Sequence, residues 1–175
     1  LKTAPLETLT PLAAFQQYLT FAQEQLAQST AGEVAGSMAL RGLGKVYAGL
    51  RNDQAALIAA PEAKAATLYQ ASLMAWPENY MAANDLGVLL ARGGRLDDAR
   101  RVLQRSVQIQ PAAASWRNLA LVYSKLGERE QAVTAVYHSR QLLPEGERFK
   151  RWSDAVRWVP PRLLVENRNT GLSPI

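Results

Sequence analysis

The sequence predicts an all-α protein, built as an array of antiparallel helix pairs. Three observations carry this expectation. The phrase "NDLGVLLARGGRLDDARRVLQRSVQIQP", Asn84 to Pro111, is followed by "NLALVYSKLGEREQAVTAVYHSRQLLP", Asn118 to Pro144, and matched residues stand 33 apart. A Gly stands where each first helix must stop, and a Pro where each second helix must end. A weaker third copy lies upstream. A fixed period of this length marks stacked units, because one unit alone cannot bury its apolar face.

The first element is an extra helix within segment 1–32. Thr10 is a suitable N-cap and Pro11 suits the first helical position. Phe15, Leu19, Ala22 and Leu26 then share one face up to about Gln28, an amphipathic stripe that should pack on the first repeat.

The repeats are expected over 33–144, as units at about 38–77, 80–111 and 113–144. In the first, "LRGLGKVY" (Leu40 to Tyr47) overlays "WRNLALVY" (Trp116 to Tyr123). Its second half, Lys64 to Pro77, places Ala65, Tyr69, Ser72 and Pro77 at marked positions. Tyr47 to Ala65 is 18 residues, whereas Tyr123 to Ala132 is 9, so this copy carries 9 extra residues. The inserted run is Ala-rich and reads as two further turns on the first helix, broken at Pro61; a long loop is less expected.

In the second and third units, Leu86 with Leu90, and Leu119 with Tyr123, are spaced i, i+4 on one helix face. Gly87 and Ala120 are small where a second helix must come close. Gly94 and Gly127 stand at the C′ position, where a left-handed backbone ends a helix. Asp97, Asp98, Glu128 and Glu130 put negative charge at the next helix start. Ala99 and Ala132 are small contacts on that second helix. Leu103 and Val136, then Ser106 and Ser139, continue the match, and Pro111 and Pro144 close it.

This pattern resembles the tetratricopeptide repeat over about Met38 to Pro144. Trp116 supplies the family's large early residue. Ala83 departs from it and leaves space for another group. The resemblance implies a right-handed superhelix of seven to nine helices whose first helices line a concave groove. It also implies that this groove takes an extended peptide or a helix of another protein. The residues flanking the Leu-Gly pair should face the groove: Arg41, Lys45 and Ala48, then Asn84, Val88, Ala91 and Arg92, then Arg117, Leu121, Ser124 and Lys125. Some family members grip a C-terminal carboxylate with a Lys/Asn/Asn/Lys/Arg set. Here Arg41 matches the first Lys, but Lys45, Asp85, Ala114 and Asn118 replace the others, so no chaperone-tail clamp is expected.

After Pro144, "EGERFKRWSDAVRWV" (145–159) reads as a capping helix with Phe149, Trp152 and Val156 inward. Pro160-Pro161 stops it. Segment 160–175 should be extended, and its "RLLVE" run should pack on its own or a neighbouring molecule, a route to self-association.

The remaining composition excludes more than it assigns. No apolar run of about 18 residues marks a membrane span. The chain starts at Leu1 without Met or a basic leader, as expected of a trimmed or processed chain. Such a chain suits a cytoplasmic or a bacterial extracytoplasmic setting. Cysteine is absent and His138 is the single histidine, so disulfides and an ordinary zinc site are excluded. His138 takes the place of Arg105 on an outer face and reads as a surface residue. "GLGK" (Gly42 to Lys45) lacks phosphate-loop spacing and falls inside a repeat helix. Asp97-Asp98 is a helix start before it is a metal pair. No enzyme activity, metal or cofactor is expected.

The expected function is a scaffold or adaptor. Its partner would be a protein or peptide segment of acidic character, since Arg41, Lys45, Arg117 and Lys125 give the groove a basic cast. The net charge is +5. With the "RRVLQR" stripe from Arg100 to Arg105, it leaves nucleic-acid binding as the alternative, beside a helper domain of a larger enzyme. RNA-reading repeats need polar base-reading side chains, and Val88, Ala91 and Leu121 are not such residues.

Overall fold

A computed structural model describes residues 10–50 and 58–144 and shows the array. Among the described residues there are seven helices: α1 (Pro11–Ser29), α2 (Val34–Ala48), α3 (Pro61–Ala75), α4 (Tyr80–Arg92), α5 (Leu96–Ile109), α6 (Ala113–Leu126) and α7 (Arg129–Gln141). None is long and apolar enough to cross a membrane. The capping helix and tail expected over 145–175 lie outside the described residues.

The helix ends follow the local chemistry. Thr10 caps α1 by accepting from the Ala13 N–H at 3.2 Å, with Pro11 beginning the helix. Asn79 caps α4 by accepting from the Ala82 N–H at 3.0 Å. Gly94 and Gly127 take φ of +77° and +80°, as the repeat pattern requires. Asp97 and Asp98 stand in the first turn of α5.

The helices pair as α2–α3, α4–α5 and α6–α7, each second helix then meeting the next first helix. One bond recurs in every unit. Ser72, Ser106 and Ser139 each donate at 2.8 Å to the carbonyl at the equivalent place near the start of the paired helix: Ser37, Tyr80 and Ala113. In the first unit this grows into a buried knot, where Asn79 Nδ2 donates to Ser37 Oγ at 2.9 Å and to Ser72 Oγ at 3.1 Å. Close approach sets the other constant. A Cβ on Gly44 would stand 2.6 Å from the Tyr69 ring, and one on Gly87 2.5 Å from Leu103.

The core runs through these interfaces. Ala65, Tyr69 and Leu86 join α3 to α4. Ala99, Leu103, Val107, Leu119 and Val122 join α5 to α6. Leu26 and Ala27 of α1 pack with Leu40, Leu68, Ala71 and Ala75 on the α2–α3 pair. Ala83 is fully buried, so the small side chain leaves no opening to solvent.

One expectation is corrected. α2 does not gain two turns: it ends at Ala48, with Gly49 as C-cap and its N–H bonded back to Lys45 O at 3.0 Å. Residues 51–57 of the inserted run lie outside the described residues. The core pattern also weakens at the ends of the array. Leu43 and Val46 match buried Leu119 and Val122, yet are 47% and 61% exposed. α1 packs on α3, so among the described residues no second helix precedes α2 to cover them. Val136, matched to buried Leu103, is likewise exposed on α7.

Candidate binding groove

Stacking the units brings equivalent faces of α2, α4 and α6 side by side. Arg41, Asn84 and Arg117 hold one repeat position, and Gly42, Asp85 and Asn118 the next. Lys45, Val88 and Leu121 follow one turn on, then Gly49, Arg92 and Lys125 after another.

Neighbouring units are tied along this face by a diagonal contact. Arg41 Nε donates to Asp85 Oδ2 at 2.7 Å, and both side chains are 17% exposed. One unit later, Asn118 Nδ2 donates to Asn84 Oδ1 at 2.9 Å. Asn84 Nδ2 also donates to Asp85 Oδ1 at 3.3 Å, which joins the two contacts into a polar strip across three helices.

A cavity of about 370 Å³ opens against this strip. Lys45, Ala48 and Gly49 come from the end of α2, and Asn84, Asp85, Val88, Leu89 and Arg92 from α4. Tyr69 of α3 and Asn118 of α6 complete the lining. Tyr69 is a core residue, 2% exposed, whose ring reaches the cavity because Gly44 leaves room beside it. Burial, with the Asp85 charge second, pushes its phenol up to about 12. The hydroxyl therefore stays protonated at neutral pH and has no hydrogen-bond partner among the described residues.

Of the residues expected from the sequence, Lys45, Ala48, Asn84, Val88 and Arg92 line this cavity. Arg41 stands behind it, engaged by Asp85. Arg117, Leu121 and Lys125 are exposed on α6 and do not form its wall. The sequence reading did not place Tyr69, Asp85, Leu89 or Asn118 in the groove. Tyr69 occupies a packing position, so nothing local marks it. Asp85 and Asn118 were signalled by sharing a repeat position next to Asn84.

Around α5 several charged side chains are engaged. Arg100 pairs with Asp97 at 3.0 Å and with Glu128, and Arg101 pairs with Asp98. Arg95 Nε donates to Asp98 at 2.8 Å. The hydrogen bonds from Arg95 and Arg101 hold the Asp98 carboxyl below its usual range. Arg105 donates to the Pro77 carbonyl at 3.2 Å. His138 is exposed and stacks on Trp116 with ring centroids 4.6 Å apart. Among the described residues no three His, Cys, Asp or Glu side chains gather as a metal site.

Solved structures share this architecture. A variant of MamA superposes with a TM-score of 0.56 at 22% identity, covering 73% of this chain and 91% of that one. Another MamA structure covers 84% of this chain and 92% of its own, with a TM-score of 0.47 at 17% identity. At these identities the likeness is one of fold. No protein-family profile matches the chain, and no curated protein does.

Proposed function

We propose that this chain is a non-enzymatic interaction scaffold that holds an extended segment of another protein against α2, α4 and α6. The observation that carries this reading is the cavity itself. It is formed by first helices of all three units, has an apolar wall in Val88 and Leu89, and presents the polar side chains of Lys45, Asn84, Arg92 and Asn118 to a ligand. A peptide backbone needs that combination, because its amides must be hydrogen-bonded as its side chains leave water. Lys45, Asn84, Val88 and Arg92 are the proposed contacts within the cavity. Arg117, Leu121 and Lys125 are proposed to extend the same face along α6.

The nucleic-acid reading draws less support. Its Arg100 to Arg105 stripe is engaged by Asp97, Asp98, Glu128 and the Pro77 carbonyl.

The test is selection of random peptides displayed on phage against the immobilised full chain, repeated with Val88→Asp and Asn84→Asp. Peptides that bind the parent and lose binding to both variants support the groove. Peptides that bind all three proteins equally place recognition elsewhere and overturn this reading.

A further inference from the structure

Resting on the groove reading above, we infer that the bound segment is acidic, presenting two carboxylates from one face of an extended strand to Lys45 and Arg92.

Asp85 is the one acid among the described lining residues, and its charge is already paired: Oδ2 accepts from Arg41 and Oδ1 from Asn84. A basic ligand therefore meets no unpaired carboxylate there. The cations are in the opposite state. Lys45 and Arg92 both line the cavity and are exposed, and neither has a carboxylate partner among the described residues. Arg41 cancels the Asp85 charge, so the cavity keeps the two positive charges of Lys45 and Arg92.

The neutral groups point the same way. Among the described residues the Tyr69 hydroxyl donates to no acceptor. Asn118 spends one of its two amide protons on Asn84 and keeps the other. A ligand rich in acceptors satisfies these groups, and one rich in donors does not. Aligned cations and neutral donors are the ordinary way to hold a carboxylate.

The spacing comes from the array. Lys45 and Arg92 belong to first helices of adjacent units, and packed helices lie about 8–10 Å apart. Arg92 also stands one turn further along the repeat than Lys45. An extended strand rises about 3.3 Å per residue and turns alternate side chains to one face, so carboxylates two or four residues apart, about 7 or 13 Å, bracket the two cations. A phosphate backbone would meet the same charge, but single-stranded nucleic acid binds on exposed aromatic faces. The aromatic ring in this cavity, Tyr69, is buried against Gly44.

The experiment uses the full chain and two pools of short labelled peptides of Ala, Val, Leu and Ser. One pool carries two Glu two or four residues apart and its twin carries Gln there. Fluorescence anisotropy should show the Glu pool binding about tenfold more tightly, with the preference shrinking as salt is raised. Lys45→Gln with Arg92→Gln should abolish the preference and leave the melting temperature unchanged, since both side chains are exposed. Equal binding of the twin pools overturns the acidic preference and leaves the groove standing. A thymidine oligonucleotide of matched charge bound as tightly as the Glu pool would assign the cations to phosphate instead. No binding of either pool overturns the groove reading and this one together.

Discussion

Arg41 and Asp85 form a 2.7 Å ion pair between α2 and α4, and the pair belongs to a series. One unit on, the equivalent positions are Asn84 and Asn118, which meet at 2.9 Å. The same place in the array carries a charged bond in one unit and an amide bond in the next. Arg117 continues the series on α6. The groove's polar strip is thus part of what holds the units in register, and binding and stability share residues.

Asp85→Ala should therefore act on both. It strands the mostly buried Arg41 guanidinium and should destabilise the fold by about 2–3 kcal/mol in urea denaturation. The same variant adds one free cation beside the cavity and should tighten binding of acidic peptides. Loss of stability with weaker acidic binding would contradict this account of the strip.

Matched positions should respond differently at the end and the middle of the array. Val122 is 1% exposed between α5 and α6, whereas Val46 stands open on α2. Val122→Glu buries an unpaired charge and should unfold the protein or cost more than about 4 kcal/mol. Val46→Glu should stay within about 0.5 kcal/mol of the parent. Thermal melts of the two variants make the comparison, and equal losses would mean that the α2 face is covered.

Much of this was legible in the sequence because the second and third units obey the period without interruption. Gly94, Gly127 and the closing prolines fix their ends, and α4 to α7 follow. The first unit was harder. Gly49 ends α2 with φ of −94°, so no left-handed glycine pattern signals the stop, and the Ala-rich run beyond it reads as more helix. Repeat position alone placed Lys45, Ala48, Asn84, Val88 and Arg92 on the cavity. The Arg41–Asp85 pair was hidden by its separation of 44 residues. Tyr69 was hidden because its exposure to the cavity depends on Gly44, a residue of another helix.

The recurring serine bond predicts a third effect. Ser72→Ala removes the donor to Ser37 O and one partner of Asn79 Nδ2, all fully buried. A loss of about 1–3 kcal/mol is expected. Ser139→Ala breaks the equivalent single bond near the end of the array and should cost less. Denaturant midpoints for both variants decide this, and the reverse order would contradict it.

Tyr69 predicts a pH dependence. Its folded pKa of about 12 lies above the ordinary value of 10.0, so the native state holds the proton more tightly than the unfolded chain. The associated stability is complete below about pH 10 and is lost as pH rises towards 12, by about 2–3 kcal/mol. Tyr69→Phe should remove that part of the alkaline loss. Ultraviolet titration showing no tyrosine absent from the variant and ionising near 12 would contradict the assignment.

The most direct test of the central claim is nuclear magnetic resonance of the isotopically labelled full chain, titrated with a peptide selected on it. The account predicts shifts in the Asn84 and Asn118 side-chain amides and along the facing backbone of α2 and α4, with α7 unmoved. Shifts confined to the exposed Val133 and Tyr137 face of α7, with both asparagines unchanged, would show that the partner is held outside the groove.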